Sequence, residues 1–158
     1  MPLDSFVEFK RTMGTDKQYE SRYAGRSFSS EELSAEVLVR LKEYIQDETV
    51  SAAVITIPAA FKSNQIEATR QAATLAGLTY VEMLQEPIAA AMAYGVSTKQ
   101  KDGYWLVFDF GGGTCDAALL KAEDGILQVV DTEGDNYLGG KDLDYAIIDE
   151  IIIPHIQA

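Results

Sequence analysis

The sequence is poor in cysteine, histidine and basic residues, and each shortage excludes a class of protein. One cysteine and one histidine among 158 residues exclude an intramolecular disulfide and a zinc site built from several such ligands. Thirteen basic residues against twenty-five acidic ones give a net charge of −12, which repels nucleic-acid phosphates and anionic lipid surfaces. We therefore expect no nucleic-acid partner and no membrane partner.

Long apolar runs are also missing from the chain. No stretch reaches the roughly 18 apolar residues that a membrane-spanning helix needs, and residues 1–30 lack the basic start and apolar stretch of a secretion signal. Together with the single cysteine, which fits a reducing compartment, this pattern predicts a cytoplasmic protein. The residues that are abundant, 47% hydrophobic and 24% charged, form the composition of a soluble globular domain.

Helix and strand patterns alternate in the N-terminal part of the chain. Ser29 followed by Glu32 is a capping-box signature, and apolar residues at helical spacing then predict a helix over about 30–47. The continuous apolar run 51–57, which Pro58 ends, predicts a buried strand. The other predictions for this part are a short helix over 4–13, an irregular or hairpin segment over 14–28, a helix from Asn64 to Gly77, a strand over 80–84 and an alanine-rich helix from Glu86 to Tyr94.

The composition changes after the polar segment 96–103, which we interpret as a connecting loop. Three strand patterns, 104–110, 115–121 and 126–132, are joined by short glycine-containing turns and predict an antiparallel meander. A strongly apolar helical pattern follows and is expected to end near Pro154. The order strand, helix, strand, helix, meander and helix predicts an α/β assembly.

The segment from Asp109 to Asp116 (DFGGGTCD) combines the residue types that phosphate chemistry needs. Its three glycines let backbone N–H groups converge on a phosphate, and Thr114 adds a hydroxyl. The two carboxylates repel phosphate, but they can hold Mg²⁺ or its water shell and accept a proton from an attacking water. A nucleoside triphosphate with Mg²⁺ satisfies both requirements. A tight hairpin whose glycines only provide positive φ is the alternative, and no Walker or G-x-G-x-x-G motif occurs.

Four segments resemble, in order and spacing, the nucleotide-binding domain of the 70-kDa heat-shock chaperones. They are 54–61 (VITIPAAF), 85–95 (QEPIAAAMAYG), 105–116 (WLVFDFGGGTCD) and 134–144 (GDNYLGGKDLD). The resemblance covers nearly the whole chain and implies an α/β fold of the actin-like ATPase (ribonuclease H-like) type, present in part.

The resemblance also implies how the chain is divided between the two lobes of that fold. Residues 1–95 would form part of the first lobe, 96–103 a connecting loop, and 104–158 the start of the second lobe with its phosphate loop. The cofactors it implies are ATP or ADP and Mg²⁺.

The same resemblance assigns roles to individual residues. Lys10 would place its ammonium near the terminal phosphate, Glu86 would reach the metal through water, and Asp109 would bind Mg²⁺ through water. Asp116 would be a proton acceptor, and Pro58 resembles the switch proline that links nucleotide state to interdomain contacts. Contacts to phosphate and nucleotide would come from Gly111, Gly112, Gly113 and the catalytic Thr114, and from Gly139 and Gly140 across the cleft.

Each of these residues also has a purely structural interpretation. Lys10 alone is a lysine on a helix surface, and Glu86 is a first-turn acid favoured by the helix dipole. Gly139 and Gly140 fit a loop before a helix N-cap equally well.

Three residues depart from the family pattern. Cys115 replaces the usual aromatic residue after the glycine turn and is expected to be a core thiol. Tyr137 replaces a common histidine, and Lys141 stands where an acid is common. None of these changes removes a proposed ligand.

The family's first phosphate loop would precede Lys10, and its adenosine-binding segments would follow Ala158. The chain therefore looks like an internal slice, and we expect it to have little or no ATPase activity by itself. The complete protein would hydrolyse ATP to drive peptide binding and release in protein folding and stress response. Its partners would be unfolded peptides, a J-domain co-chaperone and a nucleotide-exchange factor.

Two other functions fit the same resemblance. One is a naturally short interaction module that does not hydrolyse ATP. The other is a fragment of an actin-like sugar or acetate kinase, although the run from Gln85 to Gly95 matches the chaperones more closely.

Overall fold

A computed structural model describes residues 4–94 and 102–157. The chain forms two compact units: the N-terminal unit contains Met1–Ile57 and Phe61–Leu84, and the C-terminal unit contains Pro58–Ala60 and Gln85–Ala158. The helices and strands are β1 (Gln18–Ser21), β2 (Arg26–Ser29), α1 (Ser30–Glu43), β3 (Ala52–Ile57), α2 (Ser63–Leu75), β4 (Tyr80–Gln85), α3 (Glu86–Ala93), β5 (Gly103–Phe110), β6 (Cys115–Glu123), β7 (Ile126–Asp135), α4 (Gly140–Ile147) and α5 (Ile153–Gln157).

The N-terminal unit begins with a short turn and a hairpin rather than with the helix predicted over 4–13. Only Phe9–Thr12 is helical, as a single 3₁₀ turn that we call the lysine turn because it contains Lys10. The Asp4 carboxylate, at the start of the predicted helix, accepts the N–H groups of Arg22 and Tyr23 in the hairpin, at 3.0 and 2.7 Å. The hairpin interpretation of 14–28 is confirmed, because β1 and β2 pair antiparallel.

The capping box at the start of α1 is confirmed in both directions. The Ser29 hydroxyl accepts the Glu32 N–H at 3.2 Å, and the Glu32 carboxylate accepts the Ser29 N–H at 2.8 Å. The helix ends at Glu43, four residues before the predicted end. Its last turn tightens there, because the Ile45 N–H reaches the Lys42 carbonyl three residues back.

The apolar run 51–57 forms β3, which pairs with β4, but the prediction that it is buried is wrong for one face. Val54 is 64% exposed, whereas Ile57 is 6% exposed, so the strand alternates between an open and a covered face. The predicted helix between the strands is confirmed as α2. Its core contact with the lysine-turn segment is the cluster of Met13, Ala68 and Ala72.

The predicted meander is confirmed in the C-terminal unit, where β5, β6 and β7 form an antiparallel sheet in that order. Helix α3 packs on this sheet, with Ala91 against the fully buried Leu120. The partly buried residues around this pair are Ile88, Val107, Leu127 and Val129.

The last helical segment continues past Pro154 instead of ending there. A π turn over Ile148–Ile152 separates α4 from α5, and the Ile153 N–H bonds to the Ile148 carbonyl five residues back. The change of hydrogen-bond pattern just before Pro154 accommodates a residue that has no N–H to donate.

The loop predicted over 96–103 falls largely on residues 95–101, which lie outside the described residues. Within the described ranges, no helix has the length and hydropathy needed to cross a bilayer.

Candidate functional site

The register of the C-terminal sheet places two aspartates directly opposite each other. Asp109 on β5 pairs with Asp116 on β6, at the end of the two strands where the glycine turn joins them. Side chains at such paired positions point to the same face of the sheet, about 5 Å apart at their Cβ atoms. The turn therefore has a carboxylate on each side, as the sequence predicts.

Residues 111–114 form a closed bend rather than an extended loop. The Gly111 N–H donates to the Thr114 carbonyl at 2.9 Å, which brings the two ends of the bend together. Gly112 is exposed at the tip, and no described atom lies within 4 Å of the place where a Cβ would be. We call residues 111–114 the glycine bend.

The second glycine cluster packs directly on the glycine bend. The Gly140 N–H donates to the Gly111 carbonyl at 2.9 Å, and the Lys141 N–H donates to the Gly112 carbonyl at 3.1 Å. A Cβ on Gly139 would lie 2.4 Å from the Gly113 nitrogen, so only glycine allows the two backbones to come this close. The first N–H groups of α4 are therefore hydrogen-bonded to carbonyls of the glycine bend and hold it in place.

Sequence reasoning did not single out Gly134, which lies on β7 opposite Asp116. A Cβ at this position would be 2.6 Å from the Asp116 Oδ1 and 2.7 Å from the Cys115 carbonyl oxygen. The absence of a side chain gives the Asp116 carboxylate room against the neighbouring strand. A glycine inside a strand pattern is the sequence signal for such a close approach.

Glu86 is in the same compact unit as the glycine bend. It is the first residue of α3, is half-buried, and is followed by the buried Pro87 in the first turn. Proline fits there because its missing N–H is one that a helix start leaves unpaired.

Lys10 lies in the N-terminal unit, where it is exposed on the lysine turn. The residue at the start of this turn, Glu8, has a left-handed backbone with φ 60° and ψ 18°. This conformation is uncommon for residues other than glycine and costs on the order of 1–2 kcal/mol. The Arg11 N–H donates to the Glu8 carbonyl at 2.9 Å, and their side chains form an ion pair at 3.3 Å.

The three departures from the family pattern lie in the C-terminal unit. Cys115 is a half-buried free thiol paired with Phe110 across the sheet. Tyr137 is 69% exposed and donates its N–H to the Asp135 carboxylate at 2.7 Å. The Lys141 ammonium lies 5.5 Å from the centre of the Tyr145 ring, so its charge points along α4.

A cavity of about 540 Å³ opens between α3 and β5 and reaches Asp109. Its walls are mainly apolar and aromatic, with Tyr94, Trp105 and Phe108 among them. Such a lining does not suit phosphate groups.

Comparison with known proteins identifies a matching family and a similar curated protein. A family model described as "Hsp70 protein" matches residues 5–155. The chain is also 42% identical over 149 residues to the chaperone protein DnaK of Mycoplasmopsis pulmonis (strain UAB CTIP). That match covers 92% of this chain and 24% of the relative, so the chain spans about a quarter of the length of the protein it matches.

Proposed function

Because this chain belongs to the Hsp70 family, we propose that it contributes to an ATP-binding and ATP-hydrolysing site of a molecular chaperone. Its helices and strands are part of an actin-like ATPase fold. The nucleotide is ATP or ADP with Mg²⁺, and the glycine bend is the part of the chain that holds the phosphates.

The observation that carries this proposal is the closed bend between two facing carboxylates. The Gly111 N–H closes the bend, so the Gly112 N–H at the exposed tip and the Thr114 hydroxyl are the groups that we assign to the phosphates. Asp109 and Glu86 supply, through water, the carboxylate oxygens that Mg²⁺ prefers. Two carboxylates with phosphate oxygens and waters are a usual Mg²⁺ environment, so the residues present fit the metal. When bound, Mg²⁺ neutralises charge on the phosphates.

Three side chains have proposed catalytic roles. The Lys10 ammonium stabilises charge that develops on the terminal phosphate. Asp116 accepts the proton of the attacking water. Glu86 helps to orient that water through the water molecules that surround the metal. The family resemblance supports these roles.

The main role that we propose for Gly139 and Gly140 is to hold the glycine bend in one conformation. Their close packing against Gly111 and Gly112 fixes the conformation of the glycine bend. A bend fixed before the ligand arrives loses less conformational freedom on binding. Gly140 then approaches the nucleotide from the α4 side.

We further propose that the full-length protein uses this site to control the binding and release of unfolded peptides in the cytoplasm. A J-domain co-chaperone and a nucleotide-exchange factor are the partners that this function requires. The relative named above is described as a chaperone, and this description supports the proposal.

Replacing Asp109 by Asn in the full-length protein tests the proposed site. With Mg²⁺ present, we expect calorimetry to show ATP binding weakened by about tenfold or more, which is roughly 1.4 kcal/mol. With the metal removed by a chelator, the variant should bind at least as well as the wild type, because the lost charge repels phosphate.

The matched control is Asp131→Asn, which makes the same change on an exposed aspartate of the same sheet. We expect this variant to bind like the wild type. Unchanged Mg-ATP affinity in Asp109→Asn would remove Asp109 from the proposed metal site. Binding without hydrolysis in the wild type would favour the interaction-module alternative.

A further inference from the structure

A group of hydroxyls fixes the lysine turn. Thr12 is its last residue, and the Thr12 Oγ1 lies 3.1 Å from the Phe9 carbonyl oxygen, 2.7 Å from the Tyr19 hydroxyl and 2.7 Å from the Ser30 Oγ. A hydroxyl has one proton to donate and two lone pairs. When Thr12 donates to the Phe9 carbonyl, its two lone pairs can accept from Tyr19 and from Ser30, whose single proton is also within reach of the Thr12 carbonyl.

This network connects the lysine turn to two other elements of the N-terminal unit. Ser30 is the first residue of α1 and is fully buried, and Tyr19 lies on β1. The Ser30 Oγ also lies 3.1 Å from the Thr12 carbonyl oxygen, so its one proton is shared between the hydroxyl and the carbonyl of Thr12. Loss of a partner by a buried hydroxyl leaves a polar group that water cannot reach.

Met13 and Gly14, which follow the turn, are also fixed by contacts with other elements. Met13 is 4% exposed and packs with Ala68 in the core. The Gly14 N–H donates to the Glu31 carboxylate at 3.0 Å. The backbone that follows the turn is therefore fixed independently of the turn itself.

Two backbone hydrogen bonds join the turn to the residues next to it. The Arg11 N–H bonds to the Glu8 carbonyl at 2.9 Å, and the Met13 N–H reaches the Lys10 carbonyl at 3.4 Å. One 3₁₀ turn with such bonds has little stability of its own. The side-chain contacts of Thr12 add to these bonds and hold the backbone of the turn next to Lys10.

From this arrangement we propose that Thr12 is a positioning residue for Lys10. Its hydroxyl holds the lysine turn against α1 and β1, and thereby holds Lys10 where its ammonium acts on the terminal phosphate. This inference rests on the proposed function, because the role of Lys10 is part of it. Displacing a catalytic group by about 1 Å can lower a rate by up to about a hundredfold.

The test compares Thr12→Val, which keeps the shape and removes the hydroxyl, with Thr12→Ser, which keeps the hydroxyl. In the full-length protein we expect Thr12→Val to lower kcat about tenfold and to change the affinity for Mg-ATP by less than about twofold. Thr12→Ser should keep a turnover close to that of the wild type. Normal turnover in Thr12→Val would overturn the inference, and so would a change in affinity alone.

A double-mutant cycle separates positioning from a general structural effect. In a Lys10→Ala background, Thr12→Val should cause no further loss of turnover, because the group it positions is already absent. An equal loss in both backgrounds would contradict the inference. Normal turnover in Lys10→Ala by itself would instead show that the proposed role of Lys10 is wrong, and the inference would fail with it.

Amide hydrogen exchange gives a readout that does not depend on turnover. We expect faster exchange at Arg11 and Met13 in Thr12→Val but not in Thr12→Ser. Tyr19→Phe removes one hydroxyl contact while keeping the ring that packs on Phe6 at 5.9 Å, so it covers the case in which Thr12→Val does not fold. Exchange and turnover equal to wild type in Tyr19→Phe would then overturn the inference.

Discussion

Asp109 and Asp116 are difficult to explain by folding alone. Like charges directly opposite each other on paired strands destabilise a sheet, by about 0.2–1 kcal/mol. The sheet nevertheless places them in register, and Gly134 leaves space for one of them on the next strand. A cation that binds between the strands and the phosphates would turn this unfavourable pair into a favourable one.

Glu32 provides a test of the local electrostatics at the start of α1. Its carboxylate accepts the Ser29 N–H and lies 2.7 Å from the Arg26 guanidinium. These contacts, the Ser29 hydrogen bond first, hold the pKa of Glu32 below its ordinary value of 4.5. A lowered folded-state pKa stabilises the protein above the ordinary value, and this stabilisation is lost as pH falls through the folded-state pKa.

We therefore expect Glu32→Gln to lower the free energy of unfolding of the N-terminal unit by about 0.5 kcal/mol at neutral pH. Gln keeps a group that can accept the Ser29 N–H but removes the charge. Below the pH at which folded Glu32 becomes protonated, the two proteins should become similar. Urea unfolding at pH 7 and at pH 3 measures both values.

The exposed Glu36 of the same helix gives the control variant, Glu36→Gln. Its free energy of unfolding should change between the two pH values by as much as that of the wild type. A stability difference between wild type and Glu32→Gln that is the same at both pH values would contradict the charge-based explanation.

At the residue scale, what the sequence predicts depends on how far apart the partners are. Ser29 and Glu32 form their capping box within one helical turn, so the motif alone was sufficient. The role of Thr12 depends on Tyr19 and Ser30, which no local pattern connects to it. The left-handed backbone at Glu8 is likewise fixed by its surroundings.

The contact between α4 and the glycine bend is the main relation between elements in the C-terminal unit. The hydrogen bonds from Gly140 and Lys141 satisfy N–H groups at the helix start, and the Asp142 carboxylate accepts the Gly139 N–H at 2.9 Å. The positive end of the α4 dipole therefore lies next to the proposed phosphate site. Position 139 is the point of closest approach.

Gly139→Ala should separate α4 from the bend. Its Cβ would lie 2.4 to 2.6 Å from backbone atoms of Gly112 and Gly113, and backbone cannot move aside as a flexible side chain can. We expect a loss of about 1–3 kcal/mol in the stability of the C-terminal unit. Thermal unfolding and hydrogen exchange of the Lys141 amide provide the measurement.

Gly112→Ala is the matched variant, because its added Cβ would meet open space. This substitution should leave the unfolding temperature close to that of the wild type while it weakens nucleotide binding at the tip of the bend. Equal stability in Gly139→Ala and Gly112→Ala would contradict the close packing at Gly139.

Periodicity predicted the type of most elements but not their surroundings. The meander was predictable because its strands and turns are local patterns. The run 51–57 looked like a fully buried strand, although Val54 lies on an open face. Pro154 looked like a helix end, and the π turn before it depends on backbone bonding that composition does not show.

For the whole molecule, the net charge of −12 repels a triphosphate. The attraction that binds it must therefore come from groups at the site itself. In the proposed site, the glycine bend would meet the phosphates with backbone dipoles rather than with many basic side chains. Bound Mg²⁺ is then the largest positive charge at the bend, so nucleotide affinity should depend strongly on the metal.

At this scale the order of the motifs was the most informative part of the sequence. Four segments in family order indicated the fold, and the family match over residues 5–155 confirms it. The same motifs did not predict that residues 139 and 140 pack on the glycine bend itself. That contact depends on how the meander returns α4 to the bend, and spacing along the chain does not specify it.

The most direct test of the proposed site is an NMR titration of the ¹⁵N-labelled chain with Mg-ADP. We predict saturable shifts of the amide signals of Gly111, Gly112, Gly113 and Thr114, with smaller shifts when a chelator removes the metal. Shifts that are absent from these four amides at saturation, or that are the same with and without Mg²⁺, would contradict it.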